Sequence, residues 1–536
     1  MSFWNLKNKT VLIIDDFPEM RSMLFSMLKN YEPKEVVQAG NGEDAIELIA
    51  RRRFDIIMCD YNLGEGKDGQ QVLEEAKYRK ILPYYTLFIM VTAENTNAMV
   101  MGAAEYMPDS YLSKPINKNV LLSRLQKLLL KKETLRPLSD ALEKEDANEA
   151  IKRCDELLEK NVKFKFEVLK IKSEQLLNTG KFDEALGIAK AVLSERKIPW
   201  AMMLIAKVMM HKKDYSNAEI EIKSLLETDK NFMPAYDALA EIMEINENFN
   251  EAQNVLMDAV KISPKSIIRQ RALADVLDIN DEKNLLEKTR RKVVNIGKSS
   301  CLKQPADYTK LAKVYVDNGT PNKAVDVLNQ TSKVFKGDDK VLLESKVQLV
   351  DVYKKTGNTS KYRESLDTSL KLLNKDTSLL DAESVIDLAR ACIDLGKADE
   401  AKDMVTLVVK EFYEDKTLMD SVAKMYADAG LEDEGKELMS VAKGEVVALN
   451  NEGVALINKG KIDEAVKLFK FAVHELPNNL TINLNVAMAL YLHMKNSGFD
   501  SDTQQTITDY LQTVFNKDPD NAKAKDLKSK CMLLGQ

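Results

Sequence analysis

Between residues 10 and 133 short apolar runs alternate with segments whose apolar residues recur every third or fourth position. The runs "TVLIID" (10–15), "VVQAG" (36–40), "DIIMCD" (55–60), "TLFIMVTA" (86–93) and "DSYLS" (109–113) predict five strands. The segments "PEMRSMLFSMLKN" (18–30), "GEDAIELIARRR" (42–53), "GQQVLEEAKYRK" (69–80), "NTNAMVMGAAE" (95–105) and "NKNVLLSRLQKLLLKKE" (117–133) predict five helices. Pro18 suits a first helical turn. Strands alternating with helices predict an α/β doubly wound sheet, parallel, five-stranded and covered on both faces. Ligands of such sheets lie beyond the carboxyl ends of the strands, at a switch in strand order.

From residue 134 the strands stop and helix follows helix. A repeat marks this stretch: "EDANEA" ends at Ala150, "GKFDEA" at Ala185, "KDYSNA" at Ala218, "ENFNEA" at Ala252, "GTPNKA" at Ala324, "GKADEA" at Ala401, "GLEDEG" at Gly435 and "GKIDEA" at Ala465. Weaker copies near Leu286 and Tyr362 fill the gaps. A second small residue falls twelve positions earlier, at Ala206, Ala240, Ala274, Ala312, Ala389, Ala423 and Gly453. Two antiparallel helices approach closely only where facing side chains are small, so this spacing predicts helix pairs. Each pair leaves an apolar face for the next to cover, which predicts an all-α solenoid. Two regions are expected, 1–133 and 134–536, the second holding ten or eleven helix pairs and a C-terminal capping helix. Pro137 is expected to stop or kink the chain at a short, stiff junction.

Composition narrows the classes. The chain has 536 residues, 45% hydrophobic and 30% charged, with net charge −6. Of its 78 basic and 84 acidic residues, 18 of each fall in 1–133, so the acidic excess belongs to the helical region. No basic footprint for nucleic acid exists. Five scattered cysteines without a C-x-x-C pair fit reduced thiols, and three scattered histidines make no zinc pattern. No apolar run is long enough to span a bilayer, and "MSFWNLKNKT" lacks the apolar centre of a signal peptide. The expected location is the cytoplasm, with no membrane insertion.

The chemistry lies at the strand ends. Asp15 and Asp16 end the first strand and Asp60 ends the third; as neighbours in the sheet these strands bring three carboxylates together. Such charges repel unless a cation joins them. A hard divalent ion with oxygen ligands fits, and Mg²⁺ is the expected one because it accepts few carboxylates and keeps water for a phosphate. Thr92 and Lys114 end the fourth and fifth strands, where a hydroxyl and an ammonium could hold phosphoryl oxygens. Together they predict phosphoryl transfer with Asp60 as nucleophile. Singly each residue has a plainer role: the Asp pair as a helix cap, Asp60 as a turn residue, Thr92 as a helix start, Lys114–Pro115 as surface. After residue 134 no nucleophile–base pair, metal cluster or phosphate-cradling loop is present, so no further enzyme is expected.

Residues 9–130 resemble the receiver domain of two-component response regulators, a flavodoxin-like fold. The resemblance rests on "VLIIDD", "DIIMCDYNL", "DGQQVLEEAK", "IMVTA" and "YLSKP", and on spacings of 44, 32 and 22 residues along 16, 60, 92 and 114. It implies that Asp60 accepts a phosphoryl group from a histidine kinase. It also implies that Asp15, Asp16 and the backbone carbonyl of Asn62 join Asp60 in holding Mg²⁺, that Thr92 and Lys114 contact the phosphoryl group, and that Tyr111 is a switch residue turning inward when Thr92 moves. One departure is the loop "LGEGKDG" (63–69), longer and richer in Gly than the family's Met-Pro turn, at a place that bears on kinase choice and phosphoryl lifetime.

The helical region resembles tetratricopeptide repeats, most clearly over "NNEGVALINKGKIDEAVKLFKFAVHELPNN" (450–479). That resemblance implies a groove for a protein partner. No Lys, Arg and Asn set for a terminal carboxylate is evident; Asn451 and Asn485, like Tyr236, Tyr315, Tyr353 and Tyr426, are read as packing residues. Two outputs stay open. In one, phosphorylation alters the face of the fourth and fifth helices, and the array presents itself differently to a partner. In the other, the array docks a kinase or another response regulator, and the protein limits phosphotransfer as an inhibitor or phosphate sink.

Overall fold

The computed structural model describes residues 6–93, 106–160, 163–376 and 379–534. The helix expected over 95–105 lies outside them. The chain divides into two compact units, Met1–Gly319 and Thr320–Gln536.

The first unit opens with a five-stranded parallel sheet: β1 Thr10–Ile14, β2 Glu35–Ala39, β3 Ile56–Asp60, β4 Leu87–Thr92 and β5 Ser110–Ser113. Its order is β2-β1-β3-β4-β5, so β1 and β3 are neighbours, and Ile14 pairs with Cys59. The chain reverses its direction of travel across the sheet at β1, which puts the switch point at the β1/β3 ends. Successive side chains of a strand point to opposite faces. Accordingly Leu12, Ile14, Ile57, Cys59, Phe88 and Met90 pack with α2 Gly42–Arg51 and α3 Gly69–Tyr78. Val11, Ile13, Ile56, Met58, Ile89 and Val91 pack instead with α1 Pro18–Lys29 and the helix Lys118–Leu135.

Helix Lys118–Leu135 passes through a 3-10 turn, Arg136–Leu138, directly into helix Ser139–Glu143. Pro137 sits inside that turn, as a residue lacking an N–H can. The rest of the first unit is helical up to Pro305–Asp317, and the second unit is helical from Pro321–Val334 to Ala522–Leu533. The repeat's small residues are where the helices meet. Ala150, Ala185, Ala218, Ala252, Ala324, Ala401 and Ala465 are all fully buried. Leu286 and Tyr362 take the corresponding buried places in the weaker copies. A Cβ on Gly453 would stand 2.3 Å from Phe469 Cζ, so only glycine admits that ring. Tyr315, Tyr353 and Tyr426 are buried, as packing residues should be, and Tyr236 is half-buried with its hydroxyl donating to Lys230 O.

Two expectations are corrected. Ala423 is exposed rather than facing its partner helix. The close approach there is made by Tyr426, whose Cβ would lie 2.6 Å from a Cβ on Gly435. Residues 432–458 also form one 27-residue helix, Glu432–Asn458, where the repeat suggests two. Neither Gly nor Pro forces a stop in it: Gly444 meets nothing within 4 Å and the run continues through good helix formers.

Candidate functional site

The strands deliver their terminal residues to one point. Asp60 is the last residue of β3 and Thr92 the last of β4; Asp15 follows β1 and Lys114 follows β5. Asp15 is 1% exposed, Asp60 6% and Thr92 7%. One oxygen from each of Asp15, Asp16 and Asp60 lies within 4.8 Å of the others. Lys114 Nζ lies 2.9 Å from Asp15 Oδ2 and 2.9 Å from Asp60 Oδ2. The remaining oxygens take backbone donors: Phe17 N–H donates to Asp15 Oδ1 and Tyr61 N–H to Asp60 Oδ1, each at 2.9 Å. Asp15 O also accepts from Arg21. The peptide Lys114–Pro115 is cis.

The electrostatics follow from burial. Burial pushes the Asp60 carboxyl above its ordinary pKa, with the Lys114 ammonium opposing and Asp15 adding to the rise. For Lys114 burial would lower the pKa, but hydrogen bonds to Asp15 and Asp60 outweigh it and hold the ammonium charged. One ammonium thus serves two buried carboxylates, and the third acid, Asp16, has a buried Oδ1 with no hydrogen-bond partner among the described residues. Three acidic oxygens, one of them orphaned, with one ammonium bonded to their carboxylates among the described residues, fit a hard divalent ion.

The loop after Asp60 is packed tightly against the site. Gly69 N–H donates to Tyr61 O at 2.9 Å, and a Cβ on Gly69 would lie 2.0 Å from Asp60 O. At Gly64 a Cβ would come 3.4 Å from Asp16 Oδ2, so the arch of the loop passes beside the acids. Asp68 caps α3 in a capping box with Gln71. The Gly-rich stretch 63–69 is therefore shaped by contact: Gly64 and Gly66 have positive φ, and Gly69 admits the Asp60 carbonyl. Asn62 is exposed, its side-chain oxygen accepting from Gly64 N–H. Tyr111 is half-buried, and its hydroxyl is buried without a hydrogen-bond partner among the described residues. Burial raises its pKa.

Of the residues expected at the site, Asp15, Asp16, Asp60 and Lys114 lie together, and Thr92 is buried at the end of the strand beside β3; Tyr111, on β5, packs with the core on the α2 and α3 side of the sheet. Sequence reasoning missed the groups that reach this loop from far along the chain. Lys265 Nζ lies 2.8 Å from Asp68 Oδ2 and 4.8 Å from the centre of the Tyr61 ring. Glu74, on α3, accepts hydrogen bonds from Ser300 and Tyr106. Separations of 197 and 226 residues leave no local signal.

Comparison with known proteins matches residues 11–126 to the response regulator receiver domain. Chemotaxis protein CheY-3 of Vibrio cholerae is 27% identical over 122 residues, 23% of this chain and 92% of that protein. Chemotaxis protein CheY of Pseudomonas aeruginosa is 27% identical over 118 residues, 22% of this chain and 94% of that protein. A crystal structure of Vibrio cholerae CheY4 is 26% identical, covers 23% of this chain and 99% of its own, and has a TM-score of 0.21. Among the described residues no helix is long and apolar enough to cross a membrane. The sheet order, the acids at its switch point and the matched residues together give the chain an N-terminal response regulator receiver domain, the module of phosphorelay signalling.

Proposed function

We propose that Asp60 accepts a phosphoryl group from a histidine kinase and that the helical array, read as tetratricopeptide repeats over 134–536, converts this event into protein binding. The observation that carries the reading is the pairing of a buried Asp60 with Lys114 beside two further acids, Asp15 and Asp16. A carboxylate oxygen of Asp60 attacks phosphorus as the bond from phosphorus to the donor's nitrogen breaks, and the electron pair leaves with the donor. Lys114 would follow a phosphoryl oxygen as Asp60 loses its negative oxygen to the new bond. The Thr92 hydroxyl, at the end of β4, is the second group for those oxygens. Asp15, Asp16, Asp60 and the Asn62 carbonyl would hold Mg²⁺, which when bound neutralises charge on the phosphoryl oxygens. Tyr111 would report the change by moving with Thr92.

The test is incubation of the full chain with magnesium and acetyl phosphate, followed by intact-mass measurement. The expected result is a single acid-stable, base-labile phosphoryl adduct, lost in Asp60→Asn. An unlabelled wild type, or equal labelling of Asp60→Asn, refutes the reading.

A further inference from the structure

The array touches the receiver through α3 and the loop before it. Lys265 comes from the turn between helices Phe249–Ile262 and Ile267–Ile279. That turn is rigid: Ser263 and Ser266 are buried, Ser266 caps the following helix, and buried Gln270 donates to Pro264 O at 3.0 Å. From it the Lys265 ammonium pairs with Asp68 and covers the ring of Tyr61, which is itself 4% exposed and bonded through its hydroxyl to Gln70. A second contact lies alongside. Gln71 Nε2 donates to Ile296 O at 3.3 Å, and Ser300 donates to the buried Glu74 carboxylate. Glu43 of α2 holds the other limb of the loop through Lys67 N–H at 3.1 Å.

We propose that the helical array completes the phosphorylation site: Lys265 is a positioning residue that fixes loop 61–68, and with it the backbone beside Asp16 and the Asn62 carbonyl. The reasoning is mechanical. Tyr61 follows Asp60, Asp68 precedes Gly69, and Gly69 is wedged against the Asp60 carbonyl. The two residues that Lys265 grips are therefore the two ends of the loop. An ammonium shared between a carboxylate and an aromatic face holds both ends together from outside and reinforces the base that Gly69 N–H closes on Tyr61 O. A receiver deprived of Lys265 keeps its acids, the Gly69 N–H bond to Tyr61 O, the Asp68–Gln71 capping box and the Glu43 bond to Lys67 N–H, but loses the side-chain tie that joins the loop's two ends from the array. This inference rests on the proposed phosphoryl transfer at Asp60, and it places the coupling between receiver and array at α3.

The experiment uses the full chain as wild type, Lys265→Met, which keeps the apolar stem, and Lys265→Arg, which keeps charge and stacking. Hydrogen exchange of loop 61–68 is measured without metal, and labelling by acetyl phosphate is measured against magnesium concentration. Lys265→Met is expected to speed loop exchange and raise half-saturating magnesium, each about three- to tenfold, from the loss of a half-exposed ion pair and a cation–π contact. Lys265→Arg is expected to stay within about twofold of wild type. Equal exchange and equal magnesium dependence in wild type and Lys265→Met overturn the inference, as does a Lys265→Arg protein as impaired as Lys265→Met. A wild type that is never labelled overturns the functional reading and this inference with it, and is distinguished from failure of the inference alone, where all three proteins label alike.

Discussion

Removing Lys114 is the severest test of the site's electrostatics. In Lys114→Gln the carboxylates of Asp15 and Asp60 lose the ammonium now 2.9 Å from each and keep one backbone donor apiece. Both are almost fully buried. Two unit charges about 4 Å apart at an effective dielectric of about 20 repel by about 4 kcal/mol. Breaking a buried pair by deleting one partner costs about 3–5 kcal/mol on measured precedent. Proton uptake by Asp60, already favoured by burial, and the new amide's hydrogen bonds relieve part of this. The expected net loss is about 3 kcal/mol at neutral pH, or roughly a hundredfold faster opening of the strands that carry the acids. Hydrogen exchange of β1 and β3 amides in the presence of a chelator measures it directly and avoids assuming that the whole chain unfolds in one step. Added magnesium should slow exchange more in the variant than in wild type, because the ion replaces the missing cation. Protection within about threefold of wild type, with chelator present, would show that Lys114 does not balance the two acids and would refute the argument.

Three further outcomes are expected. Gly69→Ala places a Cβ 2.0 Å from the backbone oxygen of Asp60, which cannot move without the strand, so exchange of loop 61–68 should rise and labelling of Asp60 should fall by at least tenfold. Gly453→Ala pushes on the Phe469 ring and should destabilise the second unit by about 1–3 kcal/mol in urea unfolding, with labelling of Asp60 unchanged. Glu74 is held above its ordinary pKa by burial, against hydrogen bonds from Ser300 and Tyr106, so its contribution is full below about pH 4.5 and is lost as pH rises through the folded value. Glu74→Gln should therefore hold residues 298–304 at least as firmly as wild type at pH 7 and equally near pH 4.5, by exchange corrected for intrinsic rate. Glu74→Ala should loosen them by about 1–3 kcal/mol because two hydroxyls lose their acceptor.

What the sequence made legible was local. Strands and helices of the receiver follow from apolar spacing, and the acids were found because Asp15, Asp16 and Asp60 end apolar runs. The repeat's alanines were legible for the same reason: a small residue at a fixed step from a polar turn has few other uses. Ala423 shows the limit. The period placed a small residue there, but at Gly435 the close approach is taken up by Tyr426, a packing choice that no periodicity encodes. Helix Glu432–Asn458 shows another, since fusing two repeat helices removes a turn without altering the repeat's marks. Lys265, Ser300 and Glu74 were illegible because their meaning lies in partners some two hundred residues away.

Those distant partners bear on how a small event at Asp60 could be felt by the array. Gly69 N–H is bonded to Tyr61 O and the Asp60 carbonyl occupies the space a Cβ on Gly69 would need, so the start of α3 has little slack relative to the end of β3. Asp68 caps α3 and also binds Lys265, so a shift of the cap is a shift of the ion pair. Lys265 stands on a turn fixed by buried Ser263, Ser266 and Gln270, so the displacement passes into the helices that follow. A chain of short contacts of this kind transmits only if one link has two arrangements. The loop 62–67 would be the place for such a link: it has two left-handed glycines, Gly64 and Gly66, an exposed crest, and acids at Asp16 and Glu43 beside it. A phosphoryl group adds negative charge beside Asp16 and so changes the balance that sets the crest, while Lys265 reinforces the base. A movement of the crest that shifts Asp68 would be carried through the ion pair to Lys265 and its turn, so the array would feel the rearrangement while staying attached.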